Sequence, residues 1–308
     1  MNYDAVLLVA FGGPERMEEV RPFLDNVLRD RRVLPERVEM VVEQYRQIGG
    51  RSPLNERTKM QAEKLRANLE ARAIHLPVYV AMKNWHPYIA DVLQQIVADG
   101  HKKIWTFILA PHVSEASWGR YQESIRDAQK TLPSNLEISY APPWHKHPLF
   151  IEAIVSRIQQ KSAEIHPDAD WIFTAHSIPI SLDQTSGYSR QILATVEKIV
   201  EKLVEKSIDK LGCKNVHISY QSRSGRPEDS WLEPDICDVI RELKLKNSPQ
   251  ICVVPVGFLC DHAEVLYDLD LKAAAVAKTV GIPFLRFQTV EDHPAFIEML
   301  SEIVQSRV

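Results

Sequence analysis

Eight short apolar runs recur along the chain: "AVLLVAF", "VYVAM", "IWTFILAP", "LEISYAPP", "WIFTAH", "NVHISY", "ICVVPVGF" and "PFLRF". Nearly continuous apolar runs of this length, bounded by Gly, Pro and polar residues, predict strands buried on both faces, as in a parallel sheet. Between them, "MEEVRPFLDNVL", "RVEMVVEQYRQI", "PYIADVLQQIVADG", "LFIEAIVSRIQQKSAEI", "YSRQILATVEKIVEKLVEK" and "PAFIEMLSEIVQ" place apolar residues at i, i+3, i+4 and i+7. That period predicts amphipathic helices laid on the sheets, hence an α/β fold. The layout also repeats. Strands of the first half end in "FGGP", "KNWHP" and "APHVSEASWGRY", and those of the second in "AHSIP", "YQSRSGRP" and "VGFLCDHAEVLY". The repeat predicts two Rossmann-like lobes, each a four-stranded, mostly parallel sheet flanked by helices, over residues 1–145 and 146–308. The Pro- and His-rich connector "APPWHKHP" (Ala141–Pro148) marks the expected boundary, with a ligand cleft between the lobes.

Composition narrows the class. With 45% hydrophobic and 25% charged residues and a formal net charge of -4, the chain reads as an ordinary folded protein and not as a nucleic-acid binder. The start, "MNYDAVLLVAFGGPE", lacks a basic leader and its apolar stretch is too short for a signal peptide or a membrane span, so the expected location is cytoplasmic. The four cysteines, Cys213, Cys237, Cys252 and Cys260, form no CxxC pair, and Cys252, inside a strand pattern, is expected to be a buried free thiol.

Ligands of open α/β sheets bind beyond the carboxyl ends of the strands. Those ends hold most of this chain's unusual residues, among them Phe11, Trp85, Trp118, Tyr121, His176, His262 and Glu264. "FGGP" invites a phosphate-loop reading, but no GxGxxG or GxxxxGK[ST] pattern accompanies it, and GxSxG and HExxH are absent too. His176, at the end of the strand "WIFTAH", is either a hydrogen-bonded structural residue or a catalytic group if an acid faces it; Glu264 is the candidate acid. Glu264 has a second reading, because Asp261 and Glu264 fit D-x-x-E, a helix cap. Capping does not account for Asp268, four residues on and on the same helix face, where two like charges repel unless a cation or proton passes between them. Asp261 is expected to cap and Asp270 to be solvated, while His262 stays open. Arg29, Arg31 and Arg32, together with Ser52 in the Gly/Pro-rich loop "IGGRSPLNERT" (Ile48–Thr58), suit the acid groups of a flat organic ligand.

Taken in order, "LLVAFGGPE", "YRQIGGRSPLN", "FTAHSIP", "YQSRSGRPEDSWLEP" and "VPVGFLCDHAEVLYDLD" resemble the ferrochelatases (class II chelatases), and the match runs over essentially the whole chain. The resemblance implies insertion of Fe2+ into a porphyrin held in the cleft between the lobes, with loss of two pyrrole N–H protons and without an organic cofactor. It implies His176 as metal ligand or proton acceptor and Glu264 as the carboxylate opposite, so that both serve as catalytic and as metal residues, with Asp268 on a proton or metal path. For the porphyrin it implies Phe11, Trp85, Trp118 and Tyr121 at the ring, and Arg29, Arg31, Arg32, Ser52 and Tyr121 at the propionates. "AFGGPE", "KNWHPY" and "TAHSIP" look most like the branch that acts on coproporphyrin III, with protoporphyrin IX as the alternative substrate. Phe11 replaces the Tyr of members with "AYGTP" and cannot ligate iron, which shifts metal binding toward His176.

Two rivals share this signature: a chelatase that inserts cobalt or nickel into another tetrapyrrole, and a non-catalytic porphyrin or haem carrier. Intact His176 and Glu264 favour the enzyme, since a carrier removes no pyrrole protons. The expected partners are porphyrin and ferrous iron, for a monomer in transient contact with neighbouring haem-pathway enzymes, with no nucleic acid and no stable membrane anchor. Some members hold a [2Fe-2S] cluster through cysteines near the C-terminus; here no cysteine follows Cys260, so no cluster is expected. The visible spectrum of the purified protein checks this, and cluster absorbance bands would contradict it.

Overall fold

A computed structural model describes residues 3–29, 33–133, 135–206, 215–224 and 228–307. The chain divides into two compact units. They are not the two continuous stretches 1–145 and 146–308: the first takes Met1–Leu109, Ser117–Pro142 and Phe296–Val308, and the second Ala110–Ala116 and Pro143–Ala295.

In the first unit β1 (Ala5–Ala10), β2 (Val78–Met82), β3 (Lys103–Ile108) and β4 (Glu137–Tyr140) form one parallel sheet in the order β2-β1-β3-β4. All six residues of β1 are buried, which is why its sequence runs apolar without alternation. Helices α1 (Met17–Leu28), α2 (Pro35–Gln47), α3 (Leu54–Ala71), α4 (Ile89–Ala98) and α5 (Arg120–Gln129) accompany the sheet. The turn "FGGP" has a plain structural cause. Gly12 adopts φ +84, open to glycine at little cost, while Gly13 N–H donates to Asn55 Oδ1 (3.0 Å) and Asn55 Nδ2 donates back to the Gly13 carbonyl (3.0 Å). A side-chain amide therefore occupies the backbone N–H that a phosphate would need.

The second unit repeats the plan. Strands β5 (Asp170–His176), β6 (Asn215–Gln221), β7 (Ile251–Pro255) and β8 (Phe284–Arg286) are parallel in the order β6-β5-β7-β8, the permutation seen in the first sheet. Its helices are α6 (Pro148–Gln159), α7 (Ile180–Ser186), α8 (Tyr188–Glu205), α9 (Ile236–Leu245) and α10 (Ala274–Val280). The last helix, α11 (Pro294–Gln305), begins in this unit and continues in the first, where Glu298 pairs with Arg72. All eight predicted strands form.

Several elements differ from expectation: α3, α5, α7, α9 and α10 are not among the six amphipathic stretches read from the sequence. The stretch Ile48–Thr58, read as a loop, enters α3 at Leu54, because the buried face of that helix mixes Asn55, Thr58 and Gln61 with Leu65 and Leu69 and so dilutes the apolar period. Helix α9 is capped by Asp235, which accepts from Cys237 N (2.8 Å). The segment Val265–Ala273 is a π-helix that leads into α10, with Val265, Leu269, Ala273 and Ala277 packed against Ile172, Ile240 and Val253. Full burial of such Val and Leu side chains stabilises by roughly 1.5–3 kcal/mol each, ample to hold an irregular helix in place.

After β7 the chain passes so close to β5 that a Cβ on Gly257 would lie 2.6 Å from Ala175 Cβ and 2.8 Å from Ala175 Cα. Gly257→Ala is therefore expected to destabilise the protein by about 1–3 kcal/mol, since neither backbone can yield without moving a strand end. Urea melts of the two proteins measure it, and an unchanged midpoint would show that the close approach is not required.

Candidate functional site

The carboxyl end of β5 carries His176, and the π-helix entered after β7 carries Glu264. His176 Nδ1 contacts the Ser177 carbonyl at short range; a carbonyl only accepts, so the proton belongs on Nδ1 and the lone pair on Nε2. Nε2 faces Glu264 Oε2 at 3.7 Å, too long for a good direct hydrogen bond. That oxygen is shielded from solvent and has no hydrogen-bond partner among the described residues, although the Glu264 side chain as a whole is 41% exposed. One carboxylate oxygen thus points into the protein toward the imidazole. Behind the pair, the buried Tyr188 donates its hydroxyl to the His176 carbonyl (3.2 Å). Burial, Tyr220 and Glu264 all push the Tyr188 phenol up, so it stays a neutral donor.

Asp268 lies on the same π-helix and accepts a short hydrogen bond from Ser222 Oγ. Burial raises its carboxyl above the usual range against the opposing effect of that bond, and the charge of Glu264 raises it further. Ser222 sits at φ +65, a conformation uncommon for serine, directly after Gln221, the register partner of His176. His262 is half-buried against Phe258 (ring centroids 4.2 Å apart), and burial lowers its pKa while Glu264 and Asp261 oppose the shift.

Two expectations for this stretch are corrected. Asp261 caps no helix: the π-helix has Glu264 at its cap position with no side-chain cap bond, and the Asp261 carboxylate instead accepts from Thr289 N (3.1 Å) and Thr289 Oγ1 (2.8 Å) and pairs with Arg286. Asp270 is not merely solvated: it takes Arg286 Nε at 2.7 Å and pairs with Nη2 of the same guanidinium. Among the described residues no group of three His, Cys, Asp or Glu side chains could hold a metal ion, so His176 and Glu264 are a pair without a third such ligand.

The remaining candidates belong to the first unit. Phe11, at the end of β1, is 40% exposed, and its ring meets Phe23 edge-on at 6.2 Å. Phe23 also meets Trp85 (6.1 Å) and Tyr45 (6.3 Å), and Trp85 Nε1 donates to Glu19 (3.1 Å). Phe11 and Trp85 therefore share an aromatic cluster. Arg29 is exposed and donates to Asn26 Oδ1 (2.7 Å); Arg31 and Arg32 lie outside the described residues. Ser52 is buried beside Gly13, its N–H donating to the Pro14 carbonyl (2.8 Å), and it lines a surface pocket of about 410 Å³ with Glu15, Arg51 and Lys59. Trp118 and Tyr121 are buried, at 6% and 7% exposure. Of the cysteines, Cys237, Cys252 and Cys260 are buried, and Cys213 lies outside the described residues.

Sequence reasoning missed Ser222, Tyr188 and Arg286. Ser222 stands inside a quoted motif, but nothing in its spelling reveals a left-handed backbone. Arg286, at the end of a three-residue strand, shows no spacing relation to Asp261 or Asp270.

The family model described as "Ferrochelatase" matches residues 3–308. A protein of Frankia alni described as "Coproporphyrin III ferrochelatase" is 40% identical, over 98% of this chain and 79% of that one. A protein of Rhodopirellula baltica described as "Ferrochelatase" is 35% identical, over 99% and 86% respectively. Among solved structures, SirB from Bacillus subtilis with Fe3+ superposes with a TM-score of 0.61 over 99% of this chain and 95% of that one; at 14% identity this likeness is one of fold. No helix among the described residues is long and apolar enough to cross a membrane.

The raised Asp268 carboxyl has a measurable consequence. A folded-state pKa above the ordinary 3.8 means that the native chain holds this proton more tightly than the unfolded chain. Its stabilising contribution is full below 3.8 and is lost as pH rises through the folded value. Asp268→Asn does not titrate, so its stability relative to the parent is expected to improve between about pH 4 and about pH 7. Urea midpoints at both pH values test this, and a constant difference would contradict it.

Proposed function

The chain belongs to the ferrochelatase family, and on that premise we propose that it inserts Fe2+ into coproporphyrin III, giving Fe-coproporphyrin with release of two protons. The observation that carries the reading is His176 Nε2 facing a solvent-shielded oxygen of Glu264 at 3.7 Å. Two bonds of roughly 2.1 Å to one cation span up to about 4.2 Å, so this pair fits a single metal ion passing to the ring, or a proton leaving it. A two-ligand hold suits a metal that is substrate, since a complete ligand set would retain it. The curated description of the Frankia alni relative supports coproporphyrin III as the porphyrin.

In this reading His176 offers a neutral imidazole lone pair, able to accept a pyrrole proton or to bind borderline-soft Fe2+. Glu264 supplies negative charge where cationic character develops, and Asp268, with its carboxyl raised by burial, takes protons onward under the hydrogen bond from Ser222. Tyr188, as a neutral donor to the His176 carbonyl, steadies the end of β5. In the first unit, Phe11 and Trp85, with Trp118 and Tyr121, are the proposed ring contacts, and Arg29, Arg31, Arg32, Ser52 and Tyr121 the proposed propionate contacts. Binding energy from these groups would favour a puckered macrocycle with exposed nitrogen lone pairs.

Anaerobic incubation with Fe2+ and either coproporphyrin III or protoporphyrin IX, followed as loss of porphyrin fluorescence, tests the proposal. Faster metallation of coproporphyrin III is expected. His176→Ala should lower the rate by 10²-fold or more, and Glu264→Gln by about 10²-fold, with porphyrin still bound. No metallation of either porphyrin would sink the reading. Faster metallation of protoporphyrin IX would overturn its substrate, and full activity of Glu264→Gln would remove that residue from the chemistry.

A further inference from the structure

The segment from Asp261 to Asp270 holds both acids of the proposed site, Glu264 and Asp268, and a single side chain grips it on either side of them. Arg286 pairs through Nη1 with Asp261 and through Nε and Nη2 with Asp270. The guanidinium is 14% exposed, and although burial works against its charge, the two carboxylates outweigh that effect and keep it protonated. Arg286 is itself anchored. It closes β8, in register with Val253 of β7, and the next residue, Phe287, stacks on Trp171 of β5 with ring centroids 5.6 Å apart and planes within 3°. Asp261 is held a second time, its N–H donating to Glu291 Oε1 (2.8 Å) while Thr289 donates to its carboxylate.

A π-helix is an irregular support for a catalytic carboxylate, because its wide turn has no strong geometric preference of its own. The apolar stripe Val265–Leu269–Ala273 fixes which side of this helix faces the core, but apolar contact is non-directional and sets neither the rise nor the rotation of the turn. A guanidinium fork sets both, because its N–H vectors are rigid and planar. We propose that Arg286 is a positioning residue for Glu264: by tying Asp261 and Asp270 to the end of β8, it holds the turn between them so that Glu264 Oε2 faces His176. The inference rests on the reading of His176 and Glu264 given above.

The test compares Arg286→Gln, Arg286→Lys, Asp270→Asn and the double variant Asp270→Asn/Arg286→Gln with the parent. Metallation of coproporphyrin III is measured at a temperature where circular dichroism shows each chain fully folded. Misplacing a reacting group by about 1 Å costs on the order of 10²-fold, so Arg286→Gln is expected to lose about that much in kcat with the porphyrin KM nearly unchanged. Arg286→Lys keeps the charge but lacks the fork, and is expected to recover only part of kcat. Asp270→Asn should lower kcat in the same sense, and the double variant should be no slower than Arg286→Gln alone, because both changes break one network. A purely structural role for Arg286 would lower the melting temperature and leave the kcat of the folded protein intact. Parental kcat in folded Arg286→Gln overturns the proposal; if that chain does not fold, parental kcat in Asp270→Asn does so. A parent protein that metallates neither porphyrin is a separate outcome, which removes the reading of the site and this inference with it.

Discussion

In the second unit, the missing side chain of Gly257 lets the chain leaving β7 lie against Ala175 of β5, and the site grows from that contact. A Cβ at Gly257 would fall 2.6 Å from the next strand, so only glycine allows the chain to turn there and deliver Glu264 to within 3.7 Å of His176. Pro255 works with it. It ends an interior strand, where the N–H it lacks is not needed, while the N–H groups of Val256 and Gly257 both reach the Thr174 carbonyl (3.0 and 3.3 Å). The β5–β7 pair thus stays closed as far as Gly257.

Three of the unpartnered polar atoms belong to the end of β6 or to the segment that follows β7. Glu264 Oε2, His262 Nδ1 and Gln221 Nε2 are each shielded from solvent with no hydrogen-bond partner among the described residues. An unsatisfied buried group costs about 1–3 kcal/mol. Beneath them the sheet is dry and apolar, with Phe173, Ile172 and Val253 fully buried, and this rigid support makes a small polar cluster geometrically dependable.

Charge is arranged in two tiers. Glu264 stands opposite His176, and burial together with the charge of Glu264 pushes the Asp268 carboxyl up. Asp261 and Asp270 flank them in sequence but turn to Arg286, whose single positive charge both share. Four acids within ten residues therefore separate into two that pair with Arg286 and two whose contacts are with His176 and Ser222. A buried ion pair is an expensive way to gain stability, but it is well suited to fixing a register.

Much of this was legible in the chain itself. Continuous apolar runs such as "AVLLVA" and "ICVVP" named all eight strands, because strands buried on both faces have no polar alternation to confuse the pattern. The repeated layout announced two similar sheets, and residues at strand ends singled out His176 and Glu264, since parallel sheets present their carboxyl ends to ligands. What the chain could not disclose were pairings that depend on register. Asp261 spelled a helix cap and Asp270 a solvated acid until β8, more than ten residues onward, brought Arg286 between them. The exchange of Ala110–Ala116 and Phe296–Val308 between units was equally hidden, because local periodicity says where a helix forms and not which sheet it covers. Sequence by itself marked the strands and the chemistry available at their ends; only the tertiary structure decided which acids pair with Arg286 and which stand by His176 and Ser222, because that choice follows from where one guanidinium reaches in space.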